Sequence, residues 1–145
     1  MDDNPALAEV FEEAGMPLVR LFTPGEANKT LPLVKRIVSD IVDIGRRLRQ
    51  MAATLGPNAD EDEEVKRLLV EFQGVLREME QLGCSYKDYN FDIGLVDFPA
   101  VIDGEAVVLC WRSDEPSVMY YHGLYAGFAG RKAIPEALLE PEEIV

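Results

Sequence analysis

The sequence predicts an α+β domain in which a long antiparallel helical hairpin packs on a small antiparallel β-sheet. Two apolar series whose spacing alternates between three and four, at residues 34–55 and 65–82, predict the hairpin. From Ile93 the apolar period falls to two, which predicts strands. The chain has 145 residues, 48% of them hydrophobic, enough for one domain with a real core.

Residues 1–17 read as an N-terminal arm, a short amphipathic piece at 6–14 closed by Gly15 and Pro17. The domain proper spans residues 18–134. Its first helix starts at Thr23, an N-cap followed by Pro24 in the first turn and by Glu26 as the third-position carboxylate of a capping box. Pro32 removes a backbone donor inside this helix and predicts a kink or restart there, with Thr30 available as a second cap. Val34, Ile37, Ile41, Ile44, Leu48, Met51 and Leu55 then form a heptad seam that ends at Gly56-Pro57.

The acidic loop at 58–64 suits the N-terminus of the second helix, where the dipole favours negative charge. It lacks the central glycine and distal glutamate of a calcium loop. Val65, Leu68, Phe72, Val75, Met79 and Leu82 complete the partner seam before Gly83 stops it. Val38, Val42, Leu69 and Leu76 lie off the seam, so they must cover either the strands or a second subunit, and a homodimer is expected.

Asp103-Gly104 predicts a two-residue hairpin, because both turn positions need positive φ. That turn pairs Ile102 with Glu105, Phe98 with Leu109 and Asp97 with Cys110. Val96, Phe98, Ala100, Ile102, Val107, Leu109 and Trp111 then face the helices. Asp97 and Arg112 share the other face as diagonal neighbours, and Pro99 marks an edge strand or a bulge. A third strand, 118–122, follows a corner at 114–116. A connection of 113–116 turns His122 to the helices, whereas 113–117 turns it to the face of Asp97 and Arg112. We favour the second. Residues 127–131 read as a glycine turn presenting Arg131, and 135–145 as an acidic C-terminal tail.

With 27 acidic and 14 basic residues, the formal charge of −13 opposes phosphate-backbone binding, so nucleic acid is not an expected partner. The basic positions Lys35, Arg36, Arg46, Arg47 and Arg49 read as a solvated helix face. The longest apolar run, 106–111, is far short of the roughly twenty residues of a membrane helix, and no basic-then-apolar leader opens the chain. No membrane association is expected. Two cysteines, Cys84 and Cys110, in unlike contexts read as reduced thiols of a cytoplasmic protein.

Several of these motifs together resemble a family. Phe22-Thr23 with Glu26-Ala27-Asn28 and Leu31-Pro32, then GLVDFPA at 94–100, LCWR at 109–112 with Glu115, and His122 followed by GFAGR at 127–131 look like the bacterial proteins grouped as domain of unknown function 2203. The resemblance covers about residues 21–132. It implies no particular activity. It does transfer motif positions onto Glu26, Asn28, Asp97, Trp111, Arg112, Glu115, His122, Gly127 and Arg131.

Charged groups inside apolar strands cost several kcal/mol unless paired or used, which makes Asp97, Arg112, Glu115, His122 and Arg131 the candidate ligand-binding residues. Four readings stay open. Asp97 and Arg112 can form a structural ion pair, with Glu115 the carboxylate of the corner turn, His122 the polar end of a strand and Arg131 a partner for a C-terminal helix carbonyl or acid. Arg112 and Arg131 can hold a small anion, with the amides of the glycine turn and a wall of Tyr120, Tyr121 and Tyr125. His122, Asp97 and Glu115 can hold a divalent metal; one histidine with two carboxylates suits manganese, iron or magnesium better than zinc. Last, the hairpin can make the chain a non-catalytic assembly or adaptor protein with a protein partner. Metal-free acid–base work lacks an evident nucleophile, since Cys84 follows a helix stop and Cys110 sits in a strand.

Overall fold

The computed structural model describes residues 5–139. In chain order these form α1 (Pro5–Glu13), α2 (Pro24–Leu55), a 3₁₀ turn (Gly56–Glu61), α3 (Glu63–Leu82), β1 (Ser85–Tyr86), β2 (Leu95–Ile102), β3 (Glu105–Arg112), β4 (Tyr120–Gly123), a second 3₁₀ turn (Phe128–Gly130), β5 (Lys132–Ala133) and α4 (Glu136–Leu139). The five strands make one antiparallel sheet in the order β1-β2-β3-β4-β5. The class is α+β. Residues 140–145 of the expected tail lie outside the described residues; within 135–139 the chain forms α4, and Leu139 packs against the main core.

The capping box of α2 is complete, with Thr23 accepting from the Glu26 amide and Glu26 accepting from the Thr23 amide. The expected restart at Pro32 does not occur, because α2 runs through it as one helix. Thr30 therefore caps nothing, and its hydroxyl donates to the Glu26 carbonyl one turn back. Asp62 caps α3 by accepting from the amides of Glu64 and Val65, and Gly83, at φ 97°, closes it in the left-handed conformation.

The main core lies between the hairpin and one face of the sheet. Ala27, Leu31, Val34, Val38 and Ile41 of α2 meet Val96, Phe98, Ala100, Val107, Leu109 and Trp111 of β2 and β3. Val38, Val42 and Leu76 join this core, so their task is to cover the sheet, while Leu69 stays exposed. Gly94 lets helix and sheet approach, since a Cβ there would lie 2.4 Å from Val38. Arg46 and Arg49 are more than a solvated face: they donate to the carbonyls of Phe91, Asp92 and Asn90 and hold the loop that enters β2. No helix of the described residues is long and apolar enough to cross a membrane.

The Asp103-Gly104 turn has φ of 53° and 79°, and the register follows from it: Ile102 opposite Glu105, Phe98 opposite Leu109, Asp97 opposite Cys110. Beyond the two residues of β1, β2 is an edge, and there Pro99 needs no donor; its carbonyl accepts from Phe22. Residues 5–17 of the arm, the part that is described, cover the sheet face away from the hairpin. Phe11, fully buried, and Met16 pack on Val108 with Leu7, Leu18 and Leu21 around them, and burying a phenylalanine contributes about 1.5–3 kcal/mol.

Candidate functional site

The hairpin register creates the site. Counting back from a two-residue turn, Asp97 and Cys110 occupy a pair without ladder hydrogen bonds between them, the pair type whose side chains stand closest. The next register, β3 on β4, sets His122 opposite Val108, diagonal to Cys110 and on the same face. The connection is seven residues, 113–119, longer than expected, but its odd number gives His122 the favoured side. Ligand atoms of Asp97, Cys110 and His122 all lie within 4.8 Å of one another.

The three side chains are almost fully enclosed, with Asp97 8% and His122 6% exposed. His122 Nδ1 lies 2.7 Å from the Gly123 carbonyl oxygen. A carbonyl only accepts, so Nδ1 carries the proton, and Nε2 is the atom turned to Asp97 Oδ1 at 3.8 Å. That gap is too long for a hydrogen bond. Among the described residues no group makes a hydrogen bond to the Asp97 carboxylate. Burial pushes Asp97 above the usual carboxylate range, against the pull of His122 and Lys87. Burial and the neighbouring Asp97 charge push the Cys110 thiol up to about 11, against Arg131.

The other candidates serve a second network. Arg112 spends Nε and Nη2 on Asp114, both at 2.7 Å, so the expected Asp97–Arg112 pair does not form. The reason is local: Asp114 offers a two-point acceptor two residues away in the corner, at the solvent-exposed end of the strand. Glu115 receives both terminal nitrogens of Arg131, Nη1 at 3.1 Å, and also the Arg112 amide at 2.9 Å. It is thus turned to Arg131 and stands outside the Asp97–His122 cluster, where Cys110 takes the third place. Arg131 lies between the rings of Tyr120 and Phe128, 4.1 and 4.2 Å from their centroids, with Nη1 4.0 Å from Cys110 Sγ.

The expected anion cradle is likewise occupied. Both arginines are neutralised, and the amides of Gly130 and Arg131 donate within the glycine turn itself. No tyrosine wall assembles, since Tyr121 packs on the main core and Tyr125 is 77% exposed.

The remaining motif residues are structural. The Asn28 side chain accepts from the Val118 amide at 2.7 Å and donates to its carbonyl at 3.2 Å, fastening the entry of β4 to α2. Trp111 Nε1 donates to the Glu115 carbonyl at 3.0 Å. A family model, described as an uncharacterized conserved protein (DUF2203), matches residues 20–134. The chain belongs to the DUF2203 family. No curated protein shows a significant match to it, and no solved structure does. Within the matched residues, the segment GLVDFPA supplies Asp97 and the close-packed Gly94, LCWR supplies Cys110, and GFAGR supplies the Arg131 that lies beside Cys110.

Sequence reasoning missed Cys110 because it weighed the residue as a nucleophile and found an inert core thiol. The signal was present in the register, which pairs it with Asp97.

Proposed function

We propose that this chain binds one divalent transition-metal ion through Asp97, Cys110 and His122. The observation that carries the reading is the direction of His122. Its Nδ1 proton is fixed on a backbone carbonyl, the arrangement that orients a metal-ligating histidine, and its Nε2 faces a carboxylate that accepts no hydrogen bond from the described residues. Two acceptors 3.8 Å apart repel unless a proton or a metal cation lies between them, and the Cys110 sulfur beside them is a third donor that suits the metal. In a tetrahedral zinc site the donor atoms stand about 3.5 Å apart, so small side-chain adjustments close the triangle.

A relay of the cysteine–histidine–aspartate kind is disfavoured, because it needs the acid on one ring nitrogen and the thiol on the other; here Nδ1 is taken by Gly123. With sulfur in the set, zinc or iron(II) fits better than the magnesium or manganese expected for oxygen donors. Three protein ligands leave a coordination position for water or a ligand, and a metal there lowers the pKa of bound water. Both cysteines are unbridged, which suits the reducing cytoplasm.

Chelator-stripped protein should take up about one equivalent of cobalt(II), with a thiolate-to-cobalt charge-transfer band in the near ultraviolet. His122→Ala and Asp97→Asn should abolish tight uptake, and Cys110→Ser should remove that band. Uptake unchanged in both variants, or none in the parent protein, defeats the reading.

A second reading, self-association through the hairpin as a homodimer, is favoured by the adjacent Leu69 and Val70 of α3, exposed by 41 and 70%. Sedimentation equilibrium of the parent chain against Val70→Glu tests it; a monomeric parent rejects it.

A further inference from the structure

Resting on that metal reading, we infer that Arg131 is a positioning residue of the site, a fixed donor whose guanidinium hydrogen-bonds the Cys110 sulfur once that sulfur is a metal-bound thiolate. Arg131 Nη1 stands 4.0 Å from Cys110 Sγ, the outer limit for a hydrogen bond to sulfur, as befits a neutral thiol that accepts weakly. A thiolate carries a full negative charge, and charge-assisted hydrogen bonds are shorter and roughly twice as strong.

Register brings this donor to the sulfur. Tyr120 of β4 lies directly opposite Cys110 of β3, so the ring that carries the guanidinium shares a face with the thiol. Three groups hold the mostly buried Arg131 in place before any ion arrives: Glu115 receives Nη1 and Nη2, and the rings of Tyr120 and Phe128 pack on it. Each terminal nitrogen carries two hydrogens, so Nη1 can serve Glu115 and Cys110 together. Arg112 is no rival, since its Nε and Nη2 both go to Asp114. The charges also balance. Arg131 and Glu115 sum to zero, as do a divalent ion, the Asp97 carboxylate and the Cys110 thiolate, which a buried site requires. The consequence is electronic: a donor on the sulfur draws density away from the metal–sulfur bond, the lever by which hydrogen bonds tune sulfur-ligated metals.

The thiolate-to-cobalt charge-transfer band of the cobalt-loaded full-length chain reads this interaction, since a donor on the sulfur raises the energy needed to move an electron from it. Exchanging the ion pair for uncharged groups, Arg131→Met with Glu115→Gln, leaves an oxygen for the Arg112 amide and should move the band to longer wavelength. Cobalt uptake should weaken about tenfold, the lower end of what losing an outer-shell partner costs. Arg131→Gln with Glu115→Gln, whose amides can still pair, should do the same, so that loss of folding in one variant leaves the other to report. Asn28→Ala loosens the fold without touching the sulfur and should leave the band in place. Cobalt bound with the band unmoved in a folded neutral pair, or a band moved as far by Asn28→Ala, overturns the role of Arg131 and leaves the metal site standing. A parent chain that takes up no cobalt, or takes it up without the band, overturns the metal reading and this inference with it.

Discussion

Asp97 and Cys110 face each other across β2 and β3 in the close pair type of an antiparallel ladder, and His122 of β4 stands diagonal to the cysteine on the same face. A turn six residues away at Asp103-Gly104 is what sets the first of these contacts, because shifting the register by one residue would send Asp97 into the hydrophobic core.

The buried Asp97 carboxylate gives metal-free protein a characteristic pH dependence. Its folded-state pKa lies above the unfolded value of about 3.9, so the folded chain holds this proton more tightly, and the associated stability is present at low pH and lost as pH rises through the folded pKa. Asp97→Asn should therefore raise the melting temperature of metal-free protein at pH 7, with the difference shrinking toward pH 4. In zinc the order should reverse. Calorimetric scans of both proteins over that range check it.

Metal uptake should expel protons. With its thiol pushed up to about 11, Cys110 is protonated at pH 7 and must lose that proton to ligate. Titrations in buffers of different ionisation enthalpy should report release of about one proton, and Cys110→Ser should release less.

Glu115→Ala should destabilise the chain by about 3 kcal/mol, the cost of leaving a mostly buried charge unpaired. Arg131 keeps Tyr120 and Phe128 but loses its counter-charge. Replacing both partners with apolar residues should cost less than the single change, which denaturant melts of the two variants will show.

Removing the Asn28 amide deletes both hydrogen bonds to Val118. Asn28→Ala should cost about 2 kcal/mol, near 1 for each bond, and speed hydrogen exchange at the Val118 amide ahead of the rest of the sheet.

The arm shields the face that carries the cluster. Phe11→Ala should cost about 3 kcal/mol and loosen α1 from Val108. In a Cys84→Ser background, Cys110 should then react with a thiol reagent at least several-fold faster than with the arm intact, as local opening becomes easier. An unchanged rate would mean that the thiol is reached without moving the arm.

Local chemistry determined much of this protein. Thr23, Pro24 and Glu26 start α2, Asp62 and Gly83 bound α3, and Asp103-Gly104 closes β2 on β3, because caps and tight turns are satisfied by residues within a few positions of each other. The seams and the helix-facing residues of the sheet were legible for the same reason, periodicity being a local property. Tertiary structure decided the rest. Of the kink or restart expected at Pro32, the restart is absent, and α2 continues there with Leu31 and Val34 buried in the core. Arg112 turned to Asp114 and Glu115 to Arg131, because long charged side chains choose the nearest well-aligned partner, and sequence spacing does not reveal which that will be. β1 and β5, two residues each, carry no pattern of their own and exist only as additions to longer strands. Cys110 joined Asp97 and His122 because two separate registers, β2 on β3 and β3 on β4, brought three distant positions to one face.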